Sequence, residues 1–483
     1  MLESTTSAKS VLMQSLAASK GGLEVRNPAD GTLLANVKAY DAVEVETVIA
    51  QMHAAWPAWS GLSAKVRSTR LKAWNNLILD HADELAQIVT LECGKPLGES
   101  MGEVVYAASF VEWFAEEARR AYGEVIPAHV ADKRLLTIRQ PVGVSAAITP
   151  WNFPLAMITR KAGPALAAGC AMIVKPAEAT PLSALALEYL AHQAGIPADI
   201  FRVVPTTDPA AIGDVFCRTP EIRKLSFTGS TRIGKLLLEK CATTVKRVSM
   251  ELGGNAPFIV FDDADIDAAV EGAIASKFRN AGQTCVCTNR LLVQDGIHDA
   301  FVAALARRVS GLKVGRGDEA GTDIGPIINQ AGVAKVDALV TQAVAMGAEV
   351  HVGGGRHPAG AAFYAPTVLS KVTPDMDIFR TEIFGPVAPI SRFATEDEAV
   401  RLANDTPYGL AAYFFTTDAI RMWRVMEKLE YGMVGVNDGL ISTEIAPFGG
   451  VKESGIGREG SRHGLDEYME WKYVSLGGIG AKS

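Results

Sequence analysis

Apolar residues in the first quarter of the chain recur at spacings of three and four, which predicts helices. Between residues 41 and 122 this pattern includes Leu71, Trp74 and Ile78, and it places apolar side chains on one face of each helix. The segment 134–139 alternates instead, so a pair of strands is predicted there.

From residue 142 onward, short apolar strands alternate with helices. Strands are predicted at Val144–Ile148, Met172–Val174 and Phe201–Val204. Strands that crossover helices cover on both faces form a parallel, doubly wound sheet, whose ligands bind at the carboxyl ends of the strands. A second alternating segment runs from about 251 to 450, so the pattern predicts an α/β fold with two doubly wound, Rossmann-like parallel-sheet domains facing a shared cleft.

Composition narrows the classes of partner. With 483 residues and 48% apolar content, the chain is long enough for about two or three domains. A net charge of -7 without clusters of Lys and Arg argues against a nucleic-acid partner. No apolar run approaches the roughly 20 residues that cross a bilayer, and no secretory signal begins the chain, so we expect no membrane partner and a cytoplasmic location. Residues 1–20 lack Arg, which favours a frayed terminus over an organelle transit peptide.

Cysteine and histidine usage predicts neither disulfide framework nor metal. The six cysteines, at positions 93, 170, 217, 241, 285 and 287, have no framework spacing, which is typical of reduced thiols in a cytosol. The histidines are scattered singly and form no zinc-binding pattern.

Two segments carry a candidate chemistry. Glu251 lies in Met250–Gly254, and Cys285 lies in the polar Gly-Gln-Thr-Cys loop, where backbone N–H groups can lower a thiol pKa. A thiolate adds to an aldehyde carbon, and the hemithioacetal can release a hydride to a nicotinamide, leaving a thioester. A water activated by a carboxylate then releases the acid. The pair therefore predicts oxidative hydrolysis, with Cys285 as nucleophile and Glu251 as base.

Several further segments carry a resemblance to a known family. In chain order they are Pro150–Pro154, Lys175–Glu178, Phe227–Gly234, Glu382–Pro386 and Pro447–Gly450. With the Glu251 and Cys285 segments, they resemble the markers of the aldehyde dehydrogenase superfamily over nearly the whole chain. Within it, the chain is most similar to succinate-semialdehyde dehydrogenases.

The resemblance implies the aldehyde dehydrogenase fold and its division of the chain. An NAD-binding domain is expected from residues 1–123 and 143–250, and a catalytic domain with the cysteine loop from residues 251–462. A small β oligomerisation element is expected from residues 124–142 and 463–483. In the family, the tail strand joins the hairpin of a neighbouring subunit, which implies a homodimer or homotetramer; an ordinary surface hairpin is the alternative.

The resemblance also implies a nicotinamide cofactor. Lys175 and Glu178 follow a strand end, where a carboxylate accepts hydrogen bonds from the adenosine ribose hydroxyls and repels a 2'-phosphate. Family members that favour NADP tend to carry a small residue in place of this Glu, so NAD is predicted, with NADP as the alternative. The remaining cofactor-binding residues implied are Trp151, Gly229, Ser230, Gly234, Leu252, Glu382 and Phe384. Gly455–Gly460 also matches G-x-G-x-x-G, but it follows no βαβ strand, so a turn is predicted there.

The substrate side rests on the same resemblance. Asn152 matches the side-chain donor to the aldehyde oxygen. Arg160, Arg279 and Ser442 match the residues with which succinate-semialdehyde dehydrogenases hold the substrate carboxylate. The predicted function is therefore NAD(P)-dependent oxidation of succinate semialdehyde to succinate. The alternatives are a glutarate-semialdehyde or broad-range aldehyde dehydrogenase, since one methylene changes binding by only about 1–3 kcal/mol.

Cys287 leaves two hypotheses open. It either packs as a small apolar residue or forms a reversible disulfide with Cys285 that switches the enzyme off under oxidation. Outside the enzyme class, a thiol redox sensor on the same scaffold would need the two cysteines but not the cofactor motifs. A non-catalytic structural protein would need neither Cys285 nor Glu251.

Overall fold

The computed structural model describes Leu12 and residues 22–479. The predicted frayed terminus lies outside the described residues, apart from Leu12. The strands are β1 Leu23–Arg26, β2 Leu33–Val37, β3 Glu124–Ile126, β4 Arg134–Pro141, β5 Val144–Ile148, β6 Ala171–Lys175, β7 Phe201–Val203, β8 Ile222–Thr228, β9 Arg247–Glu251, β10 Ala256–Val260, β11 Thr288–Gln294, β12 Glu349–Val352, β13 Thr367–Ser370, β14 Val387–Phe393, β15 Ala411–Phe415, β16 Met433–Val436, β17 Gly455–Ile456 and β18 Met469–Leu476.

The first four helices lie between residues 41 and 122, where the spacing of apolar residues predicts helices. The helices are α1 Ala42–Ser60, α2 Ala64–Asp80, α3 Ala82–Cys93, α4 Leu97–Glu117, α5 Ala156–Ala168, α6 Pro181–Gln193, α7 Pro209–Arg218, α8 Thr231–Ala242, α9 Ile266–Lys277, α10 His298–Ser310, α11 Gln330–Ala345, α12 Asp377–Arg380, α13 Glu396–Asn404, α14 Ala419–Lys428 and α15 His463–Asp466.

The first sheet has the strand order β17-β9-β8-β5-β6-β7. Strands β5 to β9 run parallel, and β17 is antiparallel at the edge. Every residue of β6 is buried, because helices cover both faces of the sheet. Helices α1 to α8 pack with this sheet in one apolar core.

The second sheet has the strand order β12-β13-β14-β11-β10-β15-β16. All of its pairs are parallel except β12 with β13. Two apolar clusters lie against its two faces. The two parallel sheets confirm the predicted α/β fold class.

The third sheet is a three-stranded antiparallel element with the order β18-β4-β3. Strand β18 pairs with β4 of its own chain along eight residues, from Met469 opposite Pro141 to Leu476 opposite Arg134. The expectation that the tail strand joins the hairpin of a neighbouring subunit was therefore wrong for this pairing, because β3 and β18 occupy both edges of β4. The predicted domain boundaries stay a prediction.

Two local elements differ from the sequence expectations. Gly455 and Ile456 form strand β17 opposite Glu251 and Met250, where only a turn was predicted. The hairpin of β1 and β2 was not anticipated, because its strands are short and only partly buried. Among the described helices, none is both long and apolar enough to cross a membrane.

Candidate active site

A cavity of about 310 Å³, here the central cavity, lies where the two parallel sheets meet. From the first sheet it receives the residues that follow the carboxyl ends of β5, β8 and β9. From the second sheet it receives loops that precede β11 and β14. The predicted residues that it brings together are Trp151, Asn152, Gly229, Ser230, Glu251, Leu252, Cys285, Glu382 and Phe384.

The loop that carries Cys285 has an unusual backbone. The φ angles of Asn280, Ala281 and Gly282 are positive, at 51°, 53° and 74°. This left-handed backbone conformation is sterically unfavourable for residues other than glycine. A Cβ at Gly282 would lie 2.2 Å from the carbonyl oxygen of Gly385. The turn therefore needs glycine at this position, and it delivers Cys285 to the cavity three residues before β11 begins.

Side chains around the loop fix this conformation. The amide of Gln283 donates to Asn280 O at 3.0 Å and accepts from the N–H of Ile328 at 3.0 Å. The Glu99 carboxylate accepts from the N–H of Asn280 at 2.8 Å. Tyr413 donates its hydroxyl to Val286 O at 2.8 Å. Cys285 therefore sits in a loop held from several sides, which limits the motion of its thiol.

Asn152 lies beside this loop. Its Nδ2 donates to Gln283 O at 2.9 Å, and its buried Oδ1 has no partner within the described chain. Nδ2 carries two hydrogens, so one remains for a ligand. The N–H of Cys285 likewise makes no hydrogen bond with the described residues. Both donors can therefore meet an oxygen that develops negative charge.

A buried ion pair that the sequence analysis missed holds the Asn152 segment. Lys95, which pairs with Glu103, donates from Nζ to Asn152 O at 2.8 Å. Glu103 accepts from the N–H groups of Leu155 and Ala156 at 2.9 and 3.3 Å. Neither residue lies in a recognisable motif. Lys95 precedes α4 and Glu103 lies within it, so no local pattern in the sequence pointed to the pair.

The thiol and the carboxylate of the predicted pair are both buried. Burial raises the pKa of Cys285 to about 12, an effect that the nearby charge of Arg160 partly offsets. Burial, followed by the negative charge of Glu459, raises the pKa of Glu251 well above its usual range. Both carboxylate oxygens of Glu251 lack a partner in the described chain. A carboxylate poised in this way can accept a proton, as a general base must.

Glu459 lies in the segment expected to be a turn. Its carboxylate forms buried ion pairs with Arg160 and Lys161 on α5. Lys161 also donates to the Thr228 hydroxyl at 2.6 Å. The Arg160 guanidinium lies over the ring of Phe448, 4.0 Å from its centroid. Arg160 lines neither the central cavity nor the second cavity described below. Its buried Nη2 has no partner among the described residues.

The cofactor side begins at the carboxyl end of β6. Lys175 there forms an ion pair with the half-exposed Glu178. At the start of α8, Ser230 holds the N-cap position, but its hydroxyl makes no capping bond, so the hydroxyl and the helix N-terminus are both available to a phosphate. A Cβ at Gly234 would lie 2.4 Å from the Leu252 side chain, so glycine permits this close packing.

The central cavity contains the predicted nicotinamide residues, whereas Lys175, Glu178 and Gly234 do not line it. Glu382 accepts from the N–H of Gly254 at 3.1 Å, and burial raises its pKa to about 6. Phe384, with a positive φ of 57°, packs edge-on against Trp151 with ring centroids 5.7 Å apart. Lys335 also lines the cavity, close enough to Glu382 to stabilise its charge. No pattern in the sequence had pointed to Lys335.

A second cavity of about 280 Å³, here the outer cavity, contains the other predicted substrate residues. Arg279 and Ser442 line it together with Tyr106 and Phe153. The residue before Phe153 is Asn152, which lines the central cavity. The two cavities therefore lie on neighbouring residues of the Asn152–Phe153 segment.

Cys287 is buried behind the loop. Its thiol donates to the carbonyl oxygens of Lys277 and Thr288 at 3.3 and 3.4 Å, and burial raises its pKa. All six cysteines lie within the described residues as free thiols. No group of three or more His, Cys, Asp or Glu among the described residues is arranged to hold a metal ion.

Comparisons with known proteins identify the scaffold. The model of the aldehyde dehydrogenase family matches residues 16–474. The chain is 56% identical to the NADP(+) succinate-semialdehyde dehydrogenase of Escherichia coli, over 94% of each chain. It is 56% identical to the mitochondrial succinate-semialdehyde dehydrogenase of rice, over 95% of this chain and 86% of the relative.

One similar protein is named for a different substrate. The chain is 55% identical to a glutarate-semialdehyde dehydrogenase of Pseudomonas aeruginosa, over 95% of this chain and 94% of the relative. The crystal structure of the succinate-semialdehyde dehydrogenase from Burkholderia pseudomallei superimposes with a TM-score of 0.94 at 56% identity, covering 95% of each chain. The chain has two parallel sheets and a cavity that contains a cysteine. On the family match and the structural similarity, it belongs to the aldehyde dehydrogenase family.

Proposed function

We propose that this enzyme oxidises succinate semialdehyde to succinate with a nicotinamide cofactor. The observation that carries the proposal is that the Arg279 side chain, which lines the outer cavity, is unpaired among the described residues. Among the described residues, this guanidinium forms no ion pair, and its buried Nε has no hydrogen-bond partner. A cation of this kind favours a substrate that brings its own anion.

The other charged groups around the outer cavity are already engaged. Lys95 pairs with Glu103, and Glu99 accepts from the Asn280 N–H. Ser442 adds a hydroxyl to the lining of the same cavity. Arg160 does not line this cavity; its buried Nη2 has no partner among the described residues, while Glu459 compensates its charge. These contacts support Arg279 and Ser442 as the principal carboxylate ligands, with Arg160 as a secondary one.

The reaction begins with loss of the Cys285 proton. Glu251 lines the same cavity as Cys285 and can accept this proton. The thiolate adds to the aldehyde carbon, while Asn152 Nδ2 and the Cys285 N–H stabilise charge on the aldehyde oxygen. The bound nicotinamide supplies a hydride acceptor, so the carbon on Cys285 becomes a thioester. The edge-on rings of Trp151 and Phe384 line this part of the cavity.

Glu251 then completes the turnover. Once Glu251 has passed the thiol proton on to solvent water, its unpaired oxygens can take a proton from the water that attacks the thioester carbon. The carbon–sulfur bond breaks, succinate leaves and the thiolate is restored. Roles for Cys285, Glu251 and Asn152 are supported by their meeting in one cavity.

For the cofactor, we propose a preference for NAD over NADP. Glu178 lies at the carboxyl end of β6, where its carboxylate can accept both adenosine ribose hydroxyls. Its ion pair with Lys175 holds it near this strand end. The kcat/KM ratio for the two cofactors tests the preference, and Glu178→Ser should shift that ratio towards NADP. An unchanged ratio in the variant would remove Glu178 from the explanation.

We also propose a homodimer or homotetramer, acting in the cytoplasm. The three-stranded sheet exposes Val125 by 83%, Trp471 by 55% and Tyr473 by 59%. Apolar residues grouped on one small sheet are typical of an association surface. Light scattering on the purified protein measures the subunit number, and a monomer at micromolar concentration would contradict the proposal.

The decisive experiment compares kcat/KM for succinate semialdehyde and butanal, which has the same four carbons without the carboxylate. We expect the acid to be preferred by on the order of 100-fold or more, because a site built for a polar group rejects an analogue that lacks it. Comparable values would leave an aldehyde dehydrogenase of broader range. Glutarate semialdehyde is measured as well, because one similar protein is a glutarate-semialdehyde dehydrogenase, which makes this aldehyde the second candidate substrate.

A further inference from the structure

One face of helix α4 forms a wall of the outer cavity. This face carries Glu99 and, three, four and seven residues after it, Gly102, Glu103 and Tyr106, a spacing that places all four on the same side of the helix. Arg279 and Ser442 lie on other walls of the same cavity. Residues of α4 can therefore contact a substrate that the arginine holds.

The Tyr106 hydroxyl is unlike the other polar groups on this face. Glu103 and Glu99 are engaged by Lys95 and by the Asn280 N–H, respectively. The Tyr106 hydroxyl oxygen, in contrast, is shielded from solvent and has no hydrogen-bond partner among the residues that the structure describes. Shielded polar groups in native proteins are nearly always satisfied, so an exception calls for a missing partner.

The surroundings of the hydroxyl indicate the charge of that partner. Tyr106 lies close enough to Arg160 and Arg279 for both cations to act on it. Each arginine also leaves one buried nitrogen unpaired, Nη2 on Arg160 and Nε on Arg279. These unpaired groups are hydrogen-bond donors, and a carboxylate offers acceptors only.

The phenol remains a donor under physiological conditions. Burial raises the pKa of Tyr106, so its proton stays bound at neutral pH. Its ring packs edge-on against Phe110, with centroids 4.9 Å apart. This contact holds the ring in place without using the hydroxyl.

We propose that Tyr106 donates its hydroxyl hydrogen to the distal carboxylate of the substrate, beside Arg279 and Ser442. The inference rests on the proposed function, because it requires a substrate with a carboxylate. Tyr106 is then a specificity-determining residue: an aldehyde with an apolar end leaves its hydroxyl unpaired, whereas an ω-oxo acid satisfies it.

Tyr106→Phe tests the inference, because it removes one oxygen and keeps the ring. The kcat/KM ratio for succinate semialdehyde over butanal should fall about 10-fold or more, mainly through the KM for the acid. Tyr364→Phe is the matched control, since Tyr364 is another buried tyrosine but lines neither cavity, and its ratio should equal that of the wild type.

A second measurement does not depend on turnover of the acid. Succinate should inhibit butanal oxidation by occupying the carboxylate site, and its inhibition constant should rise about 10-fold in Tyr106→Phe. An unchanged ratio or an unchanged inhibition constant in the variant would overturn the role of Tyr106. A wild-type enzyme that does not prefer the acid would instead refute the proposed function, so the two failures are distinguishable.

Discussion

Replacement of Arg279 by methionine is the most informative perturbation of the proposed substrate site. Methionine keeps the apolar length of the side chain and removes the guanidinium. Arg279 forms no ion pair among the described residues, so the change breaks none; Glu99 loses the nearby positive charge but keeps its hydrogen bond from the Asn280 N–H. The lost contact with the Phe153 ring, 5.4 Å away, is worth about 0.5–1 kcal/mol. The folded state should therefore lose little stability.

The expected loss of activity follows from one charge-assisted interaction. A hydrogen bond to a charged group contributes about 1.5–3 kcal/mol. Since about 1.4 kcal/mol corresponds to a factor of ten, the kcat/KM ratio for succinate semialdehyde over butanal should fall about 10- to 150-fold. NADH formation under steady-state conditions, with each aldehyde in turn, measures this ratio.

Arg160→Met provides the contrast. Its removal leaves Glu459 with one of its two buried cationic partners missing, a kind of change that costs about 3–5 kcal/mol. Thermal unfolding should thus separate the two variants, with a clear loss of stability only in Arg160→Met. If Arg279→Met slowed both aldehydes equally, Arg279 would support the Cys285 loop rather than the substrate, and the reasoning would be wrong.

Four other variants test separate parts of the site. Asn152→Ala should lower kcat about 100-fold or more by removing one oxyanion donor, with the dissociation constant of the cofactor, measured by fluorescence, unchanged; normal turnover would exclude that role. Glu251→Gln should give one equivalent of NADH per site and then stall at the thioester, which rapid mixing detects; full steady turnover would count against it. Gly102→Ala should stabilise α4 by about 1 kcal/mol, because a Cβ there meets no atom within 4 Å. The same change should disfavour glutarate semialdehyde more than succinate semialdehyde. An unchanged kcat/KM ratio between the two aldehydes would show that the α4 wall of the outer cavity does not select substrates by their chain length. Cys287→Ser should abolish the reversal of peroxide inactivation by a thiol reductant if a disulfide with Cys285 forms; equal reversal would support simple packing.

The sequence alone determined the fold class and the nature of the chemistry. Apolar strands alternating with helices could only be buried in parallel sheets, and the structure confirms strands at Val144–Ile148 and Ala171–Lys175. Glu251 and Cys285 carry chemistry in their residue types and motifs. Their resemblance to the aldehyde dehydrogenase family, which the comparisons confirm, needed no coordinates.

Local pattern failed where a residue depends on partners far along the chain. Gly455 and Ile456 have no strand pattern, yet they pair with β9, some 200 positions earlier. The tail strand β18 was assigned to a neighbouring subunit, but its eight residues match β4 of the same chain. In both cases, backbone hydrogen bonding across long sequence distance decided the structure.

Only the tertiary structure decided which charges are free. In the sequence, Arg160 and Arg279 look equivalent, but folding pairs Arg160 with Glu459, whereas Arg279 forms no ion pair within the described part of the chain. Likewise, Tyr106 and Lys95 gained meaning only when α4 was packed beside the Asn152 segment. Residue types fix what each group can do, whereas the energy of a charge or a hydroxyl depends on the partners that folding brings within a few ångströms.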